Sequence, residues 1–433
     1  MTALKTRRAR LRLEPLDERA LPSGYRQTNL ASDEPGVARI QDPALVNAWG
    51  ISLNPNGGAF WVSAHGTGTS PLYNGDVNGS PLGRPFAVAV AGGAPTGQVF
   101  NGTQDFRITS GTANAAPPFI FAGETGFITG WNPNVPAAGS RISLPGVSRP
   151  GLSAYTGLAL ANNGQGNFLY AADRTGGRIE VFDATYAPAT LAGTFTDPNL
   201  PGGYVPYNIQ AIEGKLYVTY TSGNPRGTGG AINEFDLNGN FLRRIATHGQ
   251  LQAPWGLAKA PADFGTFSNA LLVANHTNGQ VLAYDLATGA FLGRLADEAG
   301  KIVRIDGLYG LQFGNGVTAG DRNALYFTAG PRGGQDGLFG SLRFVATQPE
   351  DPRGGTGGGG TRSVSTEGLS GGRAARPAPD EVKTVRSRAS ARAAAARVAK
   401  AALAAKVDVK VTPATPVRPV DAFNLGLDES AGR

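Results

Sequence analysis

Trp49-Gly50-Ile51, Thr96-Gly97-Gln98-Val99, Thr156-Gly157-Leu158, Tyr207-Asn208-Ile209, Trp255-Gly256-Leu257 and Tyr309-Gly310-Leu311 are six versions of one short string. In each, a bulky residue or Thr precedes a small anchor, and the anchor opens an apolar strand. Five anchors are Gly and the sixth is Asn208, the residue that best replaces Gly at positive φ. The anchors are 47, 60, 51, 48 and 54 residues apart. Near-equal units of this size match a propeller blade of four strands, so the repeat predicts a six-bladed β-propeller.

The interior of each unit repeats as well. A second strand reads Phe60-Trp61-Val62, Phe119-Ile120-Phe121, Phe168-Leu169-Tyr170, Leu216-Tyr217-Val218, Leu271-Leu272-Val273 and Leu325-Tyr326-Phe327. Such short β-branched and aromatic runs are strands buried on both faces. A third strand ends in an aromatic followed by Asp or Asn: Phe182-Asp183, Phe235-Asp236, Tyr284-Asp285 and, more loosely, Trp131-Asn132 and Tyr73-Asn74. Asp or Asn there accepts backbone N–H bonds and starts the turn to an outer strand. An open β-sandwich, or two smaller β-domains, would not need six units with the same internal order. A ring must also close. The segment Tyr25 to Leu30 precedes the first unit without a partner, and pairing it with Leu342 to Val345 would remove an exposed edge.

The 433 residues include 63 Gly, 30 Pro and no Cys, a composition of turns and short strands that excludes disulfides, zinc–thiolate sites and cysteine nucleophiles. The net charge of +7 is uneven: +4 over residues 1–26, −2 over 27–348 and +5 over 349–433. A nucleic-acid-binding core concentrates positive charge on itself, and this core does not. No apolar run is long enough for a membrane-spanning helix. There is no Gly-x-Ser-x-Gly elbow and no phosphate-binding Gly-rich loop with Lys, so nucleotide use is not expected. The chain divides into a basic N-terminal segment (1–24), a propeller (25–348) and a tail (349–433). The tail starts with the Gly-rich run at 354–360 and continues through the Ala-rich, basic stretch from Lys383 to Lys410. Both tails are expected to be disordered, the C-terminal one acting as a polycation arm if it acts at all.

Leu13-Glu14-Pro15-Leu16-Asp17-Glu18-Arg19-Ala20-Leu21-Pro22-Ser23 resembles the N-terminal sorting motif of planctomycete extracellular proteins, with Asp-Glu as its acidic pair and Pro22 in place of a Leu. The resemblance implies export to the cell surface or beyond. A second resemblance covers about residues 27–346 and rests on such strings as Asn47-Ala48-Trp49-Gly50-Ile51-Ser52, Thr196-Asp197-Pro198-Asn199-Leu200-Pro201, Asp306-Gly307-Leu308-Tyr309-Gly310-Leu311 and Asp336-Gly337-Leu338-Phe339-Gly340-Ser341-Leu342. These resemble a family of secreted bacterial proteins known only as conserved hypothetical proteins. Some of its members carry a C-terminal sorting anchor, where this chain has a basic tail. More distantly, the repeats are similar to NHL and gluconolactonase-type propellers.

Blade topology brings the start of strand one and the end of strand two to one axial face. Two rings of candidates follow. Trp49, Thr96, Thr156, Tyr207, Trp255 and Tyr309 precede the anchors. His65, Glu124, Asp173, Tyr220, Asn275 and His276 follow the second strands. The polar members suit a divalent cation such as Ca²⁺, or an acidic or sugar-like ligand; Trp49 and Trp255 suit stacking on a sugar or packing between blades. Resemblance to gluconolactonase-like propellers, which hold a metal with a Glu, an Asn and an Asp, implies Glu124, Asn275 and Asp173 as ligands. Asp173 could instead pair with Arg174 or Arg178. No cofactor is otherwise evident and no catalytic motif is complete. The sequence therefore predicts a monomeric extracellular binding or interaction propeller with a cell-surface polymer or protein as partner. A metal-dependent, lactonase-like hydrolase is the alternative. Replacing Asp173 and Asn275 together is expected to abolish binding with little effect on stability.

Overall fold

A computed structural model describes residues 23–222 and 229–346. The sorting motif up to Pro22 and the tail from residue 349 lie outside the described residues. The fold is all-β, and the described residues include two single helical turns, at Gly265–Phe267 and Pro331–Gly334. Among the described residues no helix is long and apolar enough to cross a membrane.

Six sheets surround an axis. Blade I is built from Ala48–Ser52, Phe60–Ala64, Thr69–Tyr73 and Ala87–Ala89, in that order outward. Blade II uses Pro95–Phe100, Phe119–Gly123, Phe127–Trp131 and Leu144–Ser148, with a small hairpin, Ile108–Ser110 and Ala113–Ala115, inserted after its first strand. Among the described residues, blade III has Tyr155–Asn162, Asn167–Asp173 and Arg178–Phe182 only. Blade IV comprises Val205–Ile212, Lys215–Thr221, Ala231–Phe235 and Phe241–Thr247, and blade V comprises Pro254–Lys259, Leu271–Asn275, Val281–Tyr284 and Phe291–Arg294. Blade VI contains Leu308–Phe313, Ala324–Ala329 and Leu338–Val345 and is completed by the N-terminal strand Gly24–Ser32, with Ile40–Gln41 added parallel to it. Each innermost strand touches the next, and that of blade VI returns to that of blade I.

The closure follows the register expected from the sequence and runs further. Tyr25 lies opposite Phe344 and Gln27 opposite Leu342, and the ladder continues to Ser32 opposite Leu338. Tyr25 fastens it. Its ring packs among Phe264, Phe267 and Phe344, and its hydroxyl donates to the Phe264 carbonyl at 2.9 Å. Burial pushes that hydroxyl up to about 12.

The anchors are small for a reason other than backbone conformation. None of Gly50, Gly97, Gly157, Asn208, Gly256 and Gly310 has positive φ. A Cβ on Gly50 would lie 2.2 Å from the Thr96 carbonyl oxygen, and one on Gly256 would lie 2.1 Å from that of Tyr309. Neighbouring innermost strands simply approach too closely for a side chain. Asn208 fits because its side chain is a bridge: its amide donates to the Trp255 carbonyl at 2.9 Å in the next blade. Gln98 makes a similar stitch to the Gly50 carbonyl at 3.0 Å, and Thr96 to that of Tyr155 at 2.7 Å. The anchors enclose a cavity of about 20 Å³ on the axis, room for about one water.

Candidate functional site: the axial mouth

Strand register fixes which residues face the axis. The first residue of each innermost strand pairs with the last of the second: Ala48 with Ala64, Pro95 with Gly123, Tyr155 with Asp173, Val205 with Thr221, Pro254 with Asn275 and Leu308 with Ala329. The following residue turns towards the axis. Its main-chain N–H returns to the carbonyl just before strand one: His65 to Asn47, Glu124 to Ala94, Arg174 to Ala154, His276 to Ala253 and Gly330 to Gly307. The ring at the mouth is therefore His65, Glu124, Arg174, Ser222, His276 and Gly330.

This corrects the ring inferred from sequence at three places. Asp173 and Asn275 sit one residue earlier, fully buried, and brace loops. Asp173 Oδ1 accepts the Ala154 N–H at 3.0 Å, while its Oδ2 has no hydrogen bond and faces Arg178 at 3.7 Å. Asn275 Oδ1 accepts the Gln252 N–H at 3.0 Å, and its amide donates to the Gln250 carbonyl at 2.8 Å. Tyr220 lies two residues before the ring and packs in the apolar core of blades III and IV. The structure does not gather Glu124, Asp173 and Asn275 as a ligand set. Among the described residues, His, Asp and Glu ligand atoms come together in threes only at Asp33, Glu34 and Asp336, a rim cluster already engaged by Arg332.

Below the ring, Trp49, Tyr207, Trp255 and Tyr309 plug the channel. Trp49 stacks on Tyr309 at 4.1 Å and meets Tyr207 and Trp255 edge-on at 6.2 and 6.1 Å. Trp255 reaches across to donate its indole N–H to the Thr156 carbonyl at 3.0 Å. Thr96 and Thr156 are occupied with neighbouring carbonyls. Tyr207 is wholly buried, and its hydroxyl faces Tyr309 without reaching hydrogen-bond geometry, which leaves it without a partner. Burial raises the pKa of both tyrosines, keeping them neutral.

One hydrogen-bond chain connects plug to ring. The Trp49 indole donates to Asn47 Oδ1 at 3.1 Å, which fixes the Asn47 amide. Asn47 Nδ2 then donates to His65 Nδ1 at 3.3 Å, so His65 carries its proton on Nε2 and donates it to Glu124 Oε2 at 2.8 Å. The Arg174 guanidinium faces Glu124 Oε1 at 3.5 Å. The bond from His65 outweighs burial and holds the Glu124 carboxyl below its ordinary range. His276 stacks on Tyr309 at 4.2 Å and meets the Leu308 carbonyl through Nδ1 at 3.3 Å. A carbonyl can only accept, so Nδ1 bears the proton and Nε2 offers a lone pair. Burial lowers the His276 pKa and keeps this acceptor available at neutral pH. Asn47 and Arg174 were not among the sequence candidates. The signal for Arg174 was the alignment of its blade with Asn275-His276.

No family model matches the chain. It is 32% identical over 345 residues to "Uncharacterized protein R648" of Acanthamoeba polyphaga mimivirus, covering 76% of this chain and 83% of that one. A second relative from the same virus, "Uncharacterized protein L690", is 30% identical over 345 residues, covering 76% and 88%. The chain belongs to this family. These relatives of the family are viral and uncharacterised, not the bacterial secreted proteins that the sequence resembled. Among solved structures, a putative gluconolactonase has a TM-score of 0.45 and 13% identity over 78% of this chain and 97% of its own. That likeness concerns the fold alone.

Proposed function

We propose that the protein is an exported binding propeller whose axial mouth takes a polar, hydroxyl-bearing ligand such as a cell-surface glycan. The observation that carries this reading is the contrast between constant backbone and variable chemistry. Five ring positions form the same main-chain bond, yet four of them present His65, Glu124, Arg174 and His276. A position with only a structural job is expected to repeat with the blade. A site for one ligand needs a different group at each point. The accepting groups are the Glu124 carboxylate and His276 Nε2. That set suits ligand O–H donors over an aromatic floor. Export is supported by the motif at Leu13 to Ser23.

The test is calorimetric titration of the purified full chain with a panel of soluble glycans. Binding by at least one is expected, and Glu124→Gln with Arg174→Ala should weaken it by about tenfold or more, equivalent to about 1.4 kcal/mol. Binding that survives both changes, or lactone hydrolysis that depends on added Ca²⁺ and on Glu124, would overturn the reading.

A further inference from the structure

Blade II differs from the other five at the end opposite the mouth. Its first two strands are joined by residues 101–118, which contain the hairpin Ile108–Ser110 and Ala113–Ala115. The corresponding connections of the other blades contain no strand. Register places the hairpin at the far end, because Phe100, last in the innermost strand, pairs with Phe119, first in the second. The insertion walls a pocket of about 480 Å³ that reaches to Asn54 of blade I. That volume lies within the span of small-ligand sites, roughly 300–1,000 Å³.

The insertion holds one cation at this pocket. Phe106 and Ile108 are buried in the core between blades II and III, and Arg107 between them is exposed. Across the hairpin, Asn114 accepts the Arg107 Nε–H at its side-chain oxygen and an Nη2 N–H at its carbonyl, the latter at 2.9 Å. Asn114 Nδ2 donates to the Thr109 hydroxyl at 2.6 Å, which fixes the amide. Neutral groups therefore position the guanidinium and leave its Nη1 side free of them. Among the described residues that line the pocket, Arg107 is the only charged one. The nearby Asp105 carboxylate accepts from Asn167 of blade III at 2.7 Å.

The neutral lining divides into braces and open groups. Asn101 Nδ2 donates to the Asp105 and Pro117 carbonyls at 3.2 and 3.0 Å, and Asn132 Nδ2 to that of Ala116 at 2.7 Å. These amides shape the wall. The exposed Gln104 amide and Asn54 Nδ2 have no hydrogen-bond partner among the described residues. Phe100 adds an apolar surface. Its ring meets Phe119 edge-on at 5.6 Å, and Gly102 leaves it uncovered, since a Cβ there would lie 3.2 Å from the ring. One cation, open amides and an aromatic ring together suit a sugar that carries a carboxylate. The guanidinium takes the carboxylate, the amides take hydroxyls and the ring meets a C–H face.

We propose that this pocket is a second binding site, for a uronate residue of an acidic polysaccharide. It shares no residue with the axial mouth and lies at the other end of the blades, so a variant at one leaves the other intact.

Calorimetric titration of the full chain with trigalacturonate, triguluronate and a hyaluronan tetrasaccharide tests this. At least one should bind. Its methyl ester, which keeps the hydroxyls and removes the charge, should bind about tenfold more weakly, and Arg107→Gln should cause a similar loss. Gln104→Ala, at an exposed side chain without partners, should weaken binding by about threefold and guards against a folding defect in Arg107→Gln. Glu124→Gln should change nothing. The proposal is overturned if none of the three binds at millimolar concentration, if ester and acid bind alike, or if both pocket variants bind as the parent does. Loss of uronate binding in Glu124→Gln would move the site to the mouth and overturn it as well.

Discussion

Two layers at the axial end lie one residue apart along the same second strands and have opposite characters. In the inner layer, Asp173 and Asn275 are fully buried and tied to loop main chain. In the outer layer, the Glu124 side chain is 28% exposed and bonded to side chains from two other blades, His65 and Arg174. Both layers contain a carboxylate near an arginine. What separates them is register. The last ladder residue points into its own loop, and the next one points at the axis. The carboxylate in the first position is tied to loop main chain, and the carboxylate in the second is partly exposed and bonded to side chains of neighbouring blades.

The largest effect expected from this contrast is on stability, and it reverses the expectation from sequence. Asp173→Ala removes the acceptor of a buried main-chain N–H and leaves a cavity. It should cost about 2–3 kcal/mol, which for a domain of this size lowers Tm by roughly 4 °C. Glycan binding at the mouth should persist. An unchanged melting curve with lost binding would return Asp173 to the ligand site and erase the distinction between layers.

Asn275→Ala should show the same pattern more weakly. It removes two main-chain bonds of a neutral side chain, for about 1–2 kcal/mol. The two residues brace different blades, so the double variant should lose about the sum. A cost much greater than the sum in urea unfolding would mean that the loops are coupled through the axis, against the picture of independent braces.

Glu124→Gln should behave in the opposite way. The partly exposed network contributes only about 0.5–1 kcal/mol, while binding should weaken. The acid side of the stability curve offers a further check. The folded carboxyl titrates below its ordinary value, so its contribution is complete above the unfolded pKa and disappears as pH falls through the folded one. Unfolding free energies measured between pH 6 and 3 should fall less steeply in Glu124→Gln than in the parent protein. Equal slopes would disconnect Glu124 from His65.

The six units and the closing strand were legible in the sequence because anchor spacing and paired apolar strands are local, periodic signals. The reason for the anchors was not. Close approach of neighbouring blades at Gly50 or Gly256 is a tertiary fact, and Asn208 resembled a turn residue until its bridge to Trp255 was visible. The mouth was half legible. Of the sequence candidates, His65, Glu124 and His276 carry the repeated main-chain bond, while Asp173, Asn275 and Tyr220 lie one or two residues before that step, because strand ends carry no mark of which face they present. Asn47 was passed over because its role depends on a left-handed φ of 51° and on contacts with Trp49 and His65. The open edge of blade III was hidden for a similar reason. Past Phe182 the chain makes one bridge at Pro188 and then packs Leu191 and Phe195 into the core between blades III and IV, contacts that the local pattern does not mark.

The smallest effect concerns His276, which shares the outer layer with Glu124 but titrates in another range. Its ring lies against Tyr309, its Nδ1–H meets the Leu308 carbonyl, and the nearest charge acting on it is Asp306. Burial outweighs the carbonyl and Asp306, so its folded pKa lies below the ordinary histidine value. In the unfolded chain the imidazole takes up a proton near pH 6.5. As pH drops from neutral, the unfolded state therefore binds the proton first and stability declines. The decline ends once pH passes below the folded pKa. One proton limits the slope to about 1.4 kcal/mol per pH unit. The informative quantity is the difference between the parent protein and His276→Gln. That difference should shrink from pH 7.5 to 5 as the parent loses stability that the variant never had. Glycan affinity should fall over the same interval in the parent, because a protonated Nε2 can no longer accept a ligand hydroxyl. If the two stability curves stay parallel, His276 is exposed enough to titrate as in the unfolded chain, and the mouth has one fewer neutral acceptor than its geometry suggests.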